Sequence, residues 1–128
     1  MNDPIINELI SLAQKDNDIT ALWLYGSRAK GNFTADSDYD LAILFNNRIA
    51  DKLDSRLRPE LLAMDWLSIL QNKKIELSII DINQVMIPLA FNAINGKLLY
   101  SCDEGLRMST EAIISSKAEI DFNHNYCK

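Results

Sequence analysis

Gly26-Ser27-Arg28-Ala29-Lys30-Gly31-Asn32-Phe33-Thr34-Ala35-Asp36-Ser37-Asp38-Tyr39-Asp40 is the stretch whose reading decides the fold. It lies between two apolar runs, Ala21-Leu22-Trp23-Leu24-Tyr25 before it and Leu41-Ala42-Ile43-Leu44-Phe45 after it. Runs of this length and composition read as buried strands, and the segment between them as a turn with one helical turn. Side chains alternate along a strand, so Asp38 and Asp40 share a face. Two neighbouring carboxylates repel each other and are costly to desolvate, and a divalent cation relieves both. Gly26 and Ser27 stand where the first strand turns over. A glycine there lets the backbone approach an anion, which a hydroxyl and free amides can bind. A phosphate-binding turn beside a metal-binding pair suits transfer of part of a nucleoside triphosphate.

Outward from this centre, strands and helices alternate. Asn2 or Asp3 caps an expected helix with Pro4 at its first position. Ile5, Ile6, Leu9, Ile10, Leu12 and Ala13 recur at helical spacing, and Asp16-Asn17-Asp18 ends the pattern. The first strand then runs from Thr20 to Tyr25 and the second from Tyr39 to Phe45. Asn46 to Arg58 is polar and shows no clear period. Pro59 reads as the start of a helix carrying Leu61, Leu62, Met64, Leu67 and Leu70. A third strand is expected over Ile75 to Ile80. A helix follows with Val85, Met86, Leu89, Ala90, Ala93 and Ile94; Pro88 implies a kink or a late start, and Gly96 the end. Lys97 to Tyr100 reads as an edge strand, and a charged helix begins at Asp103. With no repeat or linker, residues 1–128 read as one α/β domain, a small mixed sheet packed with helices.

The acids of the third strand are Glu76 and Asp81. Chemistry of this kind wants a third carboxylate on a neighbouring strand. Alternation puts Glu76, Ser78 and Ile80 on one face and Asp81 on the other. Glu76, between Ile75 and Leu77, is costly mid-strand unless paired or metal-bound. Asp81 has a simpler role as a cap, so Glu76 is preferred. Ser27 caps the short helix or binds an anion there, or both. Arg28 is the better phosphate contact and Lys30 is open. Gly31 serves the turn and Asp36 supports the loop. Trp23, Trp66, Tyr25 and Tyr39 read as packing residues, and His124 as a surface residue.

Composition sets bounds. Of 128 residues 48% are hydrophobic and 24% charged, ordinary for a globular protein. Thirteen Lys and Arg against 18 Asp and Glu give a net charge of −5. That opposes general nucleic-acid binding, which needs a basic footprint, but not a nucleotide held through a metal. Cys102 and Cys127 lack CxxC spacing and read as free thiols of a cytoplasmic protein. The N-terminus has no secretory pattern, and no run approaches the roughly 20 apolar residues of a membrane span.

Gly-Ser, ten residues, then Asp-x-Asp resembles the signature of the DNA polymerase β-like nucleotidyltransferases. The wording Gly-Ser-Arg … Ser-Asp-Tyr-Asp-Leu is similar to the minimal nucleotidyltransferase (MNT) subfamily. The resemblance extends over most of the chain, through Ile75-Glu76-Leu77, the helix ending in Gly96 and the tail with Asp121-Phe122. It implies the polymerase β-like fold, with two Mg²⁺ ions held by Asp38, Asp40 and Glu76. It implies ATP as AMP donor, its phosphates held by Gly26, Ser27 and Arg28. The family has aspartate where Glu76 stands, which leaves Glu76 a base or a ligand. MNT proteins typically pair with HEPN-domain toxins. The resemblance therefore implies an antitoxin that adenylylates a tyrosine of a HEPN ribonuclease. The alternatives are inhibition by binding alone, or transfer to a small molecule such as an aminoglycoside.

Overall fold

The computed structural model describes residues 3–34, 38–71 and 74–126, with the side chains of 121–126 excluded. Asn2, Asp36 and Cys127 lie outside these residues, as does the side chain of His124. Helix α1, Pro4–Lys15, opens with Asp3 accepting the Ile5 amide at 2.9 Å and with Pro4 in its first turn. Such a cap satisfies one of the amides that a helix start leaves without a partner. Leu9 and Ala13 bury its apolar face.

Strand β1, Ile19–Tyr25, is buried at every position. Helix α2, Gly26–Lys30, follows it directly and closes at Gly31, whose φ of 81° is the left-handed cap that glycine adopts without penalty. Strand β2, Tyr39–Phe45, returns antiparallel to β1. Helix α3 is Lys52–Leu70, β3 Leu77–Asp81, α4 Ile87–Ile94, β4 Lys97–Ser101 and α5 Glu104–Tyr126. The four strands form one sheet in the order β3-β2-β1-β4. β2 and β3 are parallel and the other pairs antiparallel, so the sheet is mixed.

Helices cover both faces, which explains why the two central strands are continuous apolar runs. Leu22, Leu24, Tyr39, Leu41 and Ile43 pack with Leu9 of α1 and Trp66 of α3. Ala21, Trp23, Tyr25, Ala42 and Leu44 pack with Ala90 and Ala93 of α4 and Ile114 of α5. Each fully buried Leu or Ile in these layers contributes roughly 1.5–3 kcal/mol. The alternation of β2 sends its odd positions toward α1 and α3 and its even positions toward α4 and α5. That parity places Asp40 on the α4/α5 side.

Two expectations need correction, and a third is decided between its alternatives. Helix α3 starts at Lys52, capped by Asp51, and Pro59 lies inside it. A proline there leaves the carbonyl four residues back without its helical donor. Here that carbonyl, Ser55, accepts Nε2 of Gln84 at 3.0 Å. Pro88 sits in the first turn of α4, so the late start is realised and there is no kink. The third strand begins at Leu77, leaving Glu76 just ahead of it and exposed.

Candidate active site

The turn and the acidic pair meet because of register. Tyr25, the last residue of β1, pairs with Asp40 near the start of β2. Gly26 begins α2 at φ 74°, and a Cβ on it would overlap Oδ2 of Asp40. Glycine is thus required twice at this position, for the backbone angle and for the approach to the carboxylate. Ser27 follows at the start of α2, whose first amides have no partner within the helix.

Asp38 is exposed and immediately precedes β2, whereas Asp40 is half-buried within it. Burial, and then the charge of Asp38, push the Asp40 carboxyl above the usual carboxylate range. The Tyr25 hydroxyl is pushed up as well, by burial and then by Asp40. The charge of Asp38 thus disfavours ionisation of Asp40, the electrostatic character expected at this acid. A divalent cation fits this donor set, since it lifts the repulsion and replaces lost hydration.

The neighbouring strand places the two further acids at different points along β2. Asp40 pairs with Ser78, and the Tyr39 amide donates to the Glu76 carbonyl at 3.0 Å. Paired residues of neighbouring strands share a face, so Ser78 shares that of Asp40, and Asp38 and Glu76 stand just ahead of the two strands at the same end. Glu76 is exposed, so the desolvation argument for it does not hold. Among the described residues no three carboxylate, thiol or imidazole groups converge tightly enough to hold a metal as they stand. Asp81 pairs with Ile43, three residues further along β2 or roughly 10 Å from Asp40, on the opposite face. Its carboxylate accepts the Asn83 amide at 2.9 Å, forming a turn after β3. Burial pushes this carboxyl up, and that hydrogen bond, Arg58 and Arg48 oppose the shift.

Arg28 lies elsewhere than its sequence reading placed it. It is 8% exposed, with its guanidinium 3.9 Å from the ring centroid of Tyr39 and 4.8 Å from that of Phe33. It donates to the Thr34 carbonyl at 3.4 Å and stands 4.0 Å from the Asp3 carboxylate. Tyr39 points to the α1/α3 side, so this cluster is on the face of β2 away from Asp38 and Asp40. Asp3 and Tyr39 were read as a cap and a packing residue. The residues near Asp3 in sequence give no sign that it also reaches Tyr39, 36 positions away.

The family model described as "Polymerase beta, Nucleotidyltransferase" matches residues 7–105. No curated protein matches the chain. Solved structures do. A chain of a toxin–antitoxin crystal structure with AMP-PNP aligns at TM-score 0.72 and 18% identity, over 94% of this chain and 90% of that one. A mutant MntA–HpeT toxin–antitoxin gives TM-score 0.70 and 16% identity, over 98% and 92%. A tri-AMPylated Shewanella oneidensis HEPN toxin in complex with MNT antitoxin gives TM-score 0.66 and 16% identity, over 94% and 88%. At such identities the likeness is one of fold. The family follows from the model matched across the sheet, the turn and the acidic pair: the chain belongs to the polymerase β nucleotidyltransferases.

Proposed function

We propose that this nucleotidyltransferase moves AMP from ATP to a tyrosine hydroxyl of a HEPN ribonuclease toxin, neutralising it as an antitoxin. The observation that carries the reading is the contact of Gly26 with Asp40, which joins an anion-binding turn to a carboxylate pair. The solved relatives supply the partner class, since they are toxin–antitoxin complexes, one with AMP-PNP and one with an AMPylated HEPN toxin. No helix among the described residues is long and apolar enough to cross a membrane. A cytoplasmic site of action suits an ATP-dependent partner of a ribonuclease.

In this reading Asp38 and Asp40 hold Mg²⁺, two ions in all, with Glu76 beside them at the same end of the sheet. Bound there, the metal supplies charge stabilisation at the α-phosphate and the departing pyrophosphate. Gly26 gives the triphosphate close access to the backbone, and Ser27 offers a hydroxyl and a free amide to its outer phosphates. Glu76 takes the proton of the acceptor hydroxyl. The tyrosine oxygen forms a bond to the α-phosphorus, the bond from that phosphorus to the bridging oxygen breaks, and pyrophosphate leaves.

Two substitutions test the choice of base. Glu76→Gln keeps the shape and removes the basic oxygen, so turnover falls about 100-fold. Asp81→Asn lies on the other face, keeps an oxygen to accept the Asn83 amide, and leaves turnover near normal. Pyrophosphate release with purified toxin measures both. A loss that follows Asp81 instead of Glu76 would contradict the assignment.

A further inference from the structure

Tyr39 separates the two acids in sequence and points away from both. It is 3% exposed, among Leu24, Leu41 and Leu9. Its hydroxyl donates to Oδ2 of Asp3 at 2.8 Å, while Oδ1 of the same carboxylate caps α1. Arg28 covers its ring at 3.9 Å and stands 4.0 Å from that carboxylate. One tyrosine is therefore gripped from three elements: the start of α1, the middle of α2 and the core face of the sheet.

Side chains on a strand alternate, so fixing one residue's side chain on one face fixes its two neighbours on the other. We infer that Tyr39, gripped by Asp3 and Arg28, is a positioning residue that sets the facing and spacing of Asp38 and Asp40 and hence their grip on a divalent cation. The inference rests on the reading of the acidic pair as the cation site. It gives Arg28 a different task from contact with the β- and γ-phosphates. Asp38 gains most from the arrangement, since it is exposed and precedes the strand.

The test is a Mn²⁺ titration of the full chain, following the free-ion electron spin resonance signal with and without ATP, at a temperature where every variant is folded by circular dichroism. Tyr39→Phe removes only the hydroxyl, and Arg28→Lys keeps the charge but removes the planar stack and the guanidinium bond to the Thr34 carbonyl. Each is expected to weaken Mn²⁺ binding about 3–10-fold, and the double variant hardly more than either alone, because both act through one side chain. Leu9→Ala serves as the control for general loosening; it lowers the melting temperature and leaves Mn²⁺ affinity near that of the parent chain. The ratio of ATP to AMP affinity stays unchanged in Arg28→Lys. Unaltered Mn²⁺ affinity in Tyr39→Phe would overturn the inference. So would Arg28→Lys weakening ATP but not AMP, or Leu9→Ala losing Mn²⁺ as strongly as Tyr39→Phe. Mn²⁺ binding that survives Asp38→Ala and Asp40→Ala would overturn the reading of the pair itself, and the positioning role with it.

Discussion

Asp40 is held against the backbone of Gly26, opposite Tyr25, with a second acid two residues away. Its carboxyl is raised above 3.8 in the folded chain, by burial and then by Asp38. A raised acid favours the folded state most below the unfolded value and loses that contribution as pH rises through the folded one. At neutral pH the ionised Asp40 is thus a liability to the metal-free fold. The expected outcome is that Asp40→Asn melts higher than the parent chain at pH 7, and that the gap closes as pH falls below about 4. Added Mg²⁺ should raise the melting temperature of the parent chain and not of the variant. Gly26→Ala meets both a left-handed φ and the Asp40 carboxylate. It should cost about 1–3 kcal/mol in urea denaturation and weaken the cation site together with the fold.

Among the elements, those with one strong local signal were legible in the sequence. Strand β2 is bounded as read, because Asp38-x-Asp40 marks its start and Asn46-Asn47 its end. Helix α1 follows its Asp-Pro opening, and Gly31, which reads as a turn residue, closes α2. Helix α3 was legible from Pro59 to Leu70, and its first turns, from Lys52, were not. It carries exposed Leu53, Leu61 and Met64 as well as buried Ala63 and Trp66, so no single apolar face stands out. Pro59 looked like a start because the group that repairs the break, Gln84, lies 29 residues from Ser55. Gln84→Ala should therefore cost about 1–2 kcal/mol, more than an exposed glutamine usually does, since it strands a helix carbonyl. Equilibrium unfolding of that variant checks the repair, and a cost near zero would contradict it. The site divides the same way. The meeting of Gly26 with the acidic pair followed from two strands and a short turn, all local. The place of Arg28 did not, because the ring it covers and the carboxylate beside it come from different elements. Nor did the exposure of Glu76, which depends on where β3 begins.

For the whole molecule, the fold brings the Gly26-Ser27 turn and the acidic pair together at one end of a four-stranded sheet. The proposed acceptor is a second protein, whose hydroxyl must come within about 3–3.5 Å of the α-phosphorus in the productive complex. A net charge of −5 favours approach to a basic face, such as the RNA-binding face of a ribonuclease. Mutual attraction alone would inhibit without chemistry, so the two possibilities separate on covalent modification. The direct measurement is the intact mass of a cognate HEPN toxin after incubation with the chain and MgATP. The account predicts a gain of one or more AMP groups on tyrosine, together with loss of ribonuclease activity, and neither with Asp38→Ala or Asp40→Ala. An unmodified toxin that is nonetheless fully inhibited, equally by the parent chain and by both variants, would contradict it.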